Sequence, residues 1–238
     1  MSTAKAFEDR RHEVSRVEGF SDAVFAFAVT LLVVSLEVPR TFSELWTAMR
    51  GFFAFAICFA LLFQVWWRHF NFFRRYGLED TVTIALTGIL LFVALFYVYP
   101  LKFLFTGLID RALGGSGIVV HADGTREAVL ESWQATRLMQ IYGAGIIAVF
   151  GVFALLYAHA YRKRQELALS AHEVLITRIS ILDNLGFVAI AVVSIVIATI
   201  GGPRWAGIAG FTYAVIGPMK WVLGEYTGRQ LKRLSRSG

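Results

Sequence analysis

One cysteine, four prolines and no extended polar tract in 238 residues set the first limits on this chain. A lone Cys58 excludes a disulfide framework and any cysteine-based metal site. The five histidines, His12, His69, His121, His159 and His172, are scattered, and no pair has ligand spacing beside a carboxylate. A His-Glu-x-x-His run, paired aspartates or a Ser/His set within one apolar stretch are missing as well, so an enzyme is not expected. Charge is scarce too: 17% of residues are charged against 57% apolar. With a mean hydropathy of +0.61, the chain has more apolar surface than a soluble domain of this length can hide.

A helix rises about 1.5 Å per residue and the hydrocarbon core is about 30 Å thick, so a span needs roughly 20 mostly apolar residues. Six windows qualify: Phe20–Val38, Leu45–Trp67, Val82–Phe105, Leu138–Tyr161, Ile179–Ile200 and Trp205–Leu223. They are continuously apolar, whereas barrel strands alternate over about ten residues. The expected fold class is therefore all-α, a polytopic membrane protein with six transmembrane helices. The first window has a basic lead and an Ala-Phe-Ala motif like a secretory signal, but five further spans and Asp22 argue against cleavage.

Short basic loops stay on the cytoplasmic side. Lys5, Arg10, Arg11 and Arg16 precede the first span, Arg68, Arg74 and Arg75 follow the second, and Arg162, Lys163, Arg164 and Arg178 lie between the fourth and fifth. Arg229, Lys232, Arg233 and Arg236 form the tail, whereas the opposite loops mix Arg40, Lys102, Arg111, Arg126 and Arg137 with acids. Both termini are thus expected in the cytoplasm. Residues 1–18 read as a cytoplasmic N-terminal segment, 19–224 as a six-helix transmembrane domain and 225–238 as a basic cytoplasmic tail. This asymmetry, with anionic headgroups as partners, accounts for the net charge of +6 and pI near 9.7; no soluble domain remains to bind nucleic acid.

Pro39 and Ser43 mark a short first connection, and Gly201-Gly202-Pro203 a tight turn before the last span. The one long connection, Gly107–Thr136, reads as an outer surface loop with one amphipathic turn around Arg126–Trp133. Pro100 is expected to kink or end the third helix, leaving Lys102 to snorkel outward. Trp66, Trp67, Tyr97, Tyr99 and Trp221 read as interfacial anchors, and Glu166 and Glu173 as solvated loop charges. Arg178…Asp183 faintly echoes Arg16…Asp22.

The most informative stretch is the first apolar run, from Arg16 to Pro39, because it keeps an acid, Asp22, at its leading edge. At about 100° per residue, Phe20, Phe27, Leu31, Val34 and Val38 share one stripe, with Thr30 and Glu37 close to it, while Asp22 and Val29 point elsewhere. From periodicity alone, the stripe packs against neighbouring helices. A charge near the hydrocarbon edge costs up to about 2.5–3.5 kcal/mol on insertion scales. Asp22 is therefore expected to be ionised and paired with Arg16, or hydrogen-bonded to Ser21 and His69.

Arg16-x-x-x-Phe20-Ser21-Asp22, with the Ala-Val-Phe-Ala-Phe-Ala-Val-Thr-Leu-Leu that follows, resembles the signature on the first helix of the lysosomal potassium channel family (transmembrane protein 175). Trp67-Arg68-His69 also agrees with it. The resemblance implies a homotetramer of six-helix subunits that conducts potassium without a Thr-Val-Gly-Tyr-Gly filter, which this chain lacks. It implies that first helices line the pore, with constriction residues at Phe27, Leu31 and Val34 and a hydroxyl at Thr30. Arg16, Phe20, Ser21, Asp22 and His69 would form the structural motif. The family has Ile or Leu where Phe27 stands, which implies a ring here that is tighter, gated differently or poorly conducting. It also has an Asn behind the first helix that Asp80, Thr81 or Thr83 would replace. Glu37 lies at the outer mouth, either as an acidic ring that concentrates cations or as a partner of Arg40. No cofactor is implied beyond the permeant ion. The alternatives are a secondary transporter, disfavoured by the lack of matched interrupted spans, and a non-conducting membrane scaffold. The chain fits a prokaryotic plasma membrane protein.

Overall fold

A computed structural model describes residues 14–34, 39–115, 117–120, 125–131 and 133–237. Its helices are α1 (Arg16–Val34), α2 (Phe42–Arg50), α3 (Phe52–Tyr76), α4 (Thr81–Ala112), α5 (Gln134–Arg162), α6 (Ala171–Gly201), α7 (Ala206–Phe211) and α8 (Ile216–Ser237). Four stretches among the described residues are long and apolar enough to cross a membrane: Phe42–Tyr76, Thr81–Ala112, Gln134–Arg162 and Ala171–Lys232. The second expected span, ending at Trp67, continues as helix to Tyr76, because Arg68, His69, Arg74 and Arg75 are good enough helix residues to extend it past its apolar part. The last window is broken by short 3₁₀ turns at Gly202–Trp205 and Thr212–Val215 before α8 begins.

Local chemistry sets the boundaries. Ser15 and Glu18 exchange backbone and side-chain hydrogen bonds at the start of α1, at 3.0 and 3.1 Å, and Ser170 and Glu173 do the same for α6. Glu173 is thus a buried cap and not the solvated loop charge expected of it. Gly77, in the left-handed region at φ +57°, ends α3 with its N–H on the Phe73 carbonyl, and Asp80 caps α4 by accepting from the Thr83 N–H at 2.8 Å. Pro100 neither ends nor breaks α4, which runs on to Ala112. Neighbouring helices can satisfy backbone groups around such a proline, and the Tyr142 hydroxyl of α5 donates to the Pro100 carbonyl at 2.6 Å. The long loop holds a two-stranded antiparallel ribbon, β1 (Ile118–Val120) with β2 (Arg126–Ala128), in place of the expected helical turn. Gly114 and Gly117, both at positive φ, lie between the end of α4 and β1.

Two cores hold the helices. Phe25, Ala28 and Leu32 of α1 pack with Cys58 and Leu62 of α3 and Leu91, Ala94 and Val98 of α4. Phe72, Phe73 and Tyr76 of α3 pack with Leu90, Phe153, Leu156, Tyr157 and Ile176 of α4, α5 and α6, where the Tyr76 hydroxyl meets Thr177 Oγ1 at 2.7 Å. The α5/α6 hairpin is the most extensive helix pairing. Gly145 lets α5 approach α4: a Cβ there would lie 1.9 Å from the Tyr97 ring, whose hydroxyl donates to the Ile141 carbonyl at 2.6 Å. Tyr97 is a packing residue in this fold and not merely an interfacial anchor.

At the basic end, Asp80 ties the α3–α4 turn to α5. Its Oδ2 lies 2.6 Å from His159 Nε2 and 3.1 Å from Lys163 Nζ. Partial burial acts to raise the Asp80 carboxyl, but the hydrogen bonds from His159, Thr83 and Lys163 outweigh it and hold the group well below the usual carboxylate range.

Two outcomes follow for stability. Gly145→Ala, which forces the Tyr97 ring aside, is expected to destabilise the detergent-solubilised protein by about 1–3 kcal/mol, read by thermal unfolding. Because the folded-state pKa of Asp80 is depressed, its contribution is complete above the ordinary value of about 4 and is lost as pH falls below it. Wild-type protein should therefore lose more stability between pH 5 and pH 3 than Asp80→Asn does; equal losses would contradict the clasp.

Candidate functional site

The two sides of α1 have different environments. Glu18, Ser21, Phe25, Ala28 and Leu32, spaced three and four residues apart, are buried on one side against α3 and α4. Ser21 is fully buried and its hydroxyl donates to the Val17 carbonyl at 2.7 Å. The other side is uncovered within the subunit: Phe20 is 65% exposed, Phe27 is 56% exposed and Thr30 is exposed, its hydroxyl donating to the Ala26 carbonyl at 3.0 Å. Leu31 is half-buried at the margin of the α1 core. Of the apolar stripe, Phe20 and Phe27 therefore do not pack inside the chain, whereas Leu31 does; a second, more complete stripe is buried. Val34 ends the helix, and its side chain and Glu37 lie outside the described residues.

Asp22 is exposed and accepts a hydrogen bond at 2.7 Å from the Trp66 indole N–H of α3. No described bond joins it to Arg16, Ser21 or His69, which corrects the expected partners. Arg16, one and a half turns away, opens the helix with its side chain exposed. Ser21 is turned inward to its own helix. His69 is buried, its ring centroid 5.9 Å from Phe25 and 4.7 Å from Phe73, and its Nε2 has no hydrogen-bond partner among the described residues. Trp66 belongs to a run of neighbouring rings along α3, Phe52, Phe55, Phe59, Phe63, Trp66 and Phe70, with successive centroids 5.1–6.5 Å apart. An open groove of about 330 Å³ lies between this ladder and α1, lined by Asp22, Phe25, Ala26, Val29, Leu62, Phe63 and Trp66.

A second acid is reached from the same helix. Asp183 of α6, largely buried, receives Arg68 Nη1 at 3.2 Å and Lys220 Nζ at 2.5–2.6 Å, and Arg68 also donates to Asn184 Oδ1 at 3.3 Å. The guanidinium sits 5.2 and 5.3 Å from the rings of Phe150 and Phe187, which stack 4.0 Å apart. Sequence reading missed this cluster; its one signal was the faint Arg178…Asp183 echo. At the far end of α1, Lys102 of α4 points back to donate to the Leu32 carbonyl at 3.3 Å, where outward snorkelling was expected. A cation beside the last carbonyls of a helix complements their partial negative charge.

The region that carries Asp22, Trp66 and Arg68 is the one that known proteins share. Residues 16–97 match the family model described as "Endosomal/lysosomal potassium channel TMEM175". A potassium channel of Marivirga tractuosa is 41% identical over 231 residues, 96% of this chain and 93% of that protein. A crystal structure of a variant of the potassium channel MtTMEM175, bound to a nanobody–MBP fusion protein, superposes with a TM-score of 0.81 at 40% identity, covering 94% of this chain and 97% of that one. The crystal structure of a lysosomal potassium-selective channel TMEM175 homolog from Chamaesiphon minutus is 23% identical and shares the fold with a TM-score of 0.53, covering 86% of this chain and 96% of that one. With two-fifths identity sustained across nearly the whole length of a relative, this chain is an integral membrane protein and belongs to the TMEM175 potassium channel family, not to an enzyme family.

Proposed function

We propose that four copies of this chain surround an axis on which their α1 helices form a potassium-conducting pore. The observation that carries this reading is the uncovered side of α1: Phe20 and Phe27 are large, apolar and unpacked within the subunit, while the opposite side of the same helix is fully used. In a pore-lining role, Phe27, Leu31 and Val34 form the constriction rings and Thr30 offers a hydroxyl in place of part of an ion's water shell. Such apolar rings gate by dewetting. Arg16, Phe20, Ser21, Asp22 and His69 form the structural base of that helix, and Glu37 stands at the outer mouth. The permeant ion is potassium, as the names of the relatives suggest. Each subunit crosses a prokaryotic plasma membrane six times, with both termini cytoplasmic; 1–18 and 225–238 are the cytoplasmic segments flanking the 19–224 channel domain.

A non-conducting scaffold is the second reading, favoured by the bulk of Phe27. Flux measurements separate the two. Purified protein in proteoliposomes should pass potassium in preference to sodium, and Phe27→Ala should raise the flux and narrow that preference. Silence from both, with a stable tetramer by light scattering, would contradict the channel reading and support the scaffold. Asp22→Ala should lower the fraction of assembled tetramer and leave ion preference unchanged in what remains. Trp66→Phe keeps the ring ladder and deletes one donor, so it should act in the same direction with a smaller effect, about 1 kcal/mol. A full yield of tetramer with altered selectivity would contradict a structural role for this bond.

A further inference from the structure

Three acids at the basic end of the α5/α6 hairpin have identified tasks. Asp80 takes His159 and Lys163, Glu166 lies 3.1 Å from Lys163, and Glu173 is turned into the capping box of α6. Among the described residues, two guanidiniums that share one ring at the same end have no such partner. Arg164, in the turn after α5, and Arg178, on the second turn of α6, both lie over the ring of Tyr161, with Cζ 4.7 and 5.1 Å from its centroid. Arg164 Nη1 donates to the Tyr161 carbonyl at 3.1 Å, and Arg178 donates through Nε, at 2.9 Å, and Nη2 to the Tyr161 hydroxyl. No described carboxylate is bonded to either.

Like charges drawn onto one ring repel each other, and a π-face with two neutral oxygens offsets this only in part. Each guanidinium carries five N–H donors, of which these contacts occupy one on Arg164 and two on Arg178. Planar forks of this kind match the oxygens of a phosphate group in pairs, which an ammonium does not do. The site also lies where the apolar run of α5 ends, with Arg162 and Lys163 alongside, and basic residues at the end of a membrane-length helix meet lipid headgroups.

We infer that Arg164 and Arg178, spaced by Tyr161, form a binding site for a phosphate group, either the phosphodiester of an anionic lipid or a free phosphate. The site is independent of the pore reading, because it depends only on the α5/α6 hairpin.

The test uses purified full-length protein. Native mass spectrometry after incubation with phosphatidylglycerol or phosphatidylcholine reads lipid retention, and thermal unfolding with or without inorganic phosphate reads the free anion. Wild-type protein should retain phosphatidylglycerol in preference, and Arg164→Gln and Arg178→Gln should each reduce that preference about fivefold. Arg204→Gln, at the opposite end of α6, should leave it intact. Stabilisation by inorganic phosphate that is lost in both variants, without lipid preference, would assign the same site to a free phosphate. Wild-type protein indifferent to both probes would overturn the proposal, and this arm needs no variant to fold. Variants that keep the wild-type preference in full would overturn it as well, and Arg164→Lys with Arg178→Lys separates charge alone from the paired fork.

Discussion

Two hydrogen-bond donors on α3 fix the positions of the helices around it. Trp66 and Arg68 stand two residues apart, so their side chains leave the helix about 200° apart, on nearly opposite faces. One reaches Asp22 of α1 and the other reaches Asp183 of α6. An acid near the hydrocarbon edge is costly unless it is paired or hydrogen-bonded, and each of these acids lies on a different neighbour of the same helix. The bonds therefore define how α3 is rotated between α1 and α6. Dispersion in the two apolar cores supplies bulk cohesion, but it is non-directional and does not select a rotation by itself. The stacked Phe150 and Phe187 reinforce the α6 side by offering ring faces to Arg68 and Lys220.

The rotation of α1 decides which of its sides the subunit leaves uncovered. Held by Trp66 near its start, by Ser21, Phe25, Ala28 and Leu32 along its length, and by Lys102 at its far end, α1 has little freedom to turn its other side inward. Phe20 and Phe27 then remain uncovered within one subunit. In a membrane an uncovered apolar residue meets lipid, another subunit or a pore, and the proposed tetramer assigns α1 to the last two.

Much of the architecture was legible because the bilayer imposes it: apolar runs of membrane length gave the long helices, and the scattered histidines and missing nucleophile sets pointed away from an enzyme. Boundaries were less legible because polar residues such as Arg68 and Arg75 extend helices beyond their apolar parts. The Ser15/Glu18 and Ser170/Glu173 capping boxes carry a sequence signature that would have placed two of those boundaries. Pairings across helices were not legible. Periodicity located Asp22 on a face of its own, but the donor lies on another helix, and nothing local to Asp22 names Trp66. Asp183 was hidden for the same reason, since its two cations come from α3 and α8. Pro100 misled because the rule for proline describes an isolated helix in water, whereas α4 is held on both sides of Pro100 by its neighbours.

In the proposed pore, the side of α1 bearing Phe27 faces water and ions while the side bearing Phe25 does not. Since Cys58 is the sole cysteine, Cys58→Ser gives a background in which Phe27→Cys and Phe25→Cys can be compared directly. Potassium flux in proteoliposomes would be followed before and after a small, charged, water-soluble thiol reagent. Rapid loss of flux at Phe27→Cys, with Phe25→Cys untouched, is the expected result. Flux through Phe27→Cys that the reagent leaves unchanged, or block at Phe25→Cys alone, would contradict the assignment of this helix face to the pore.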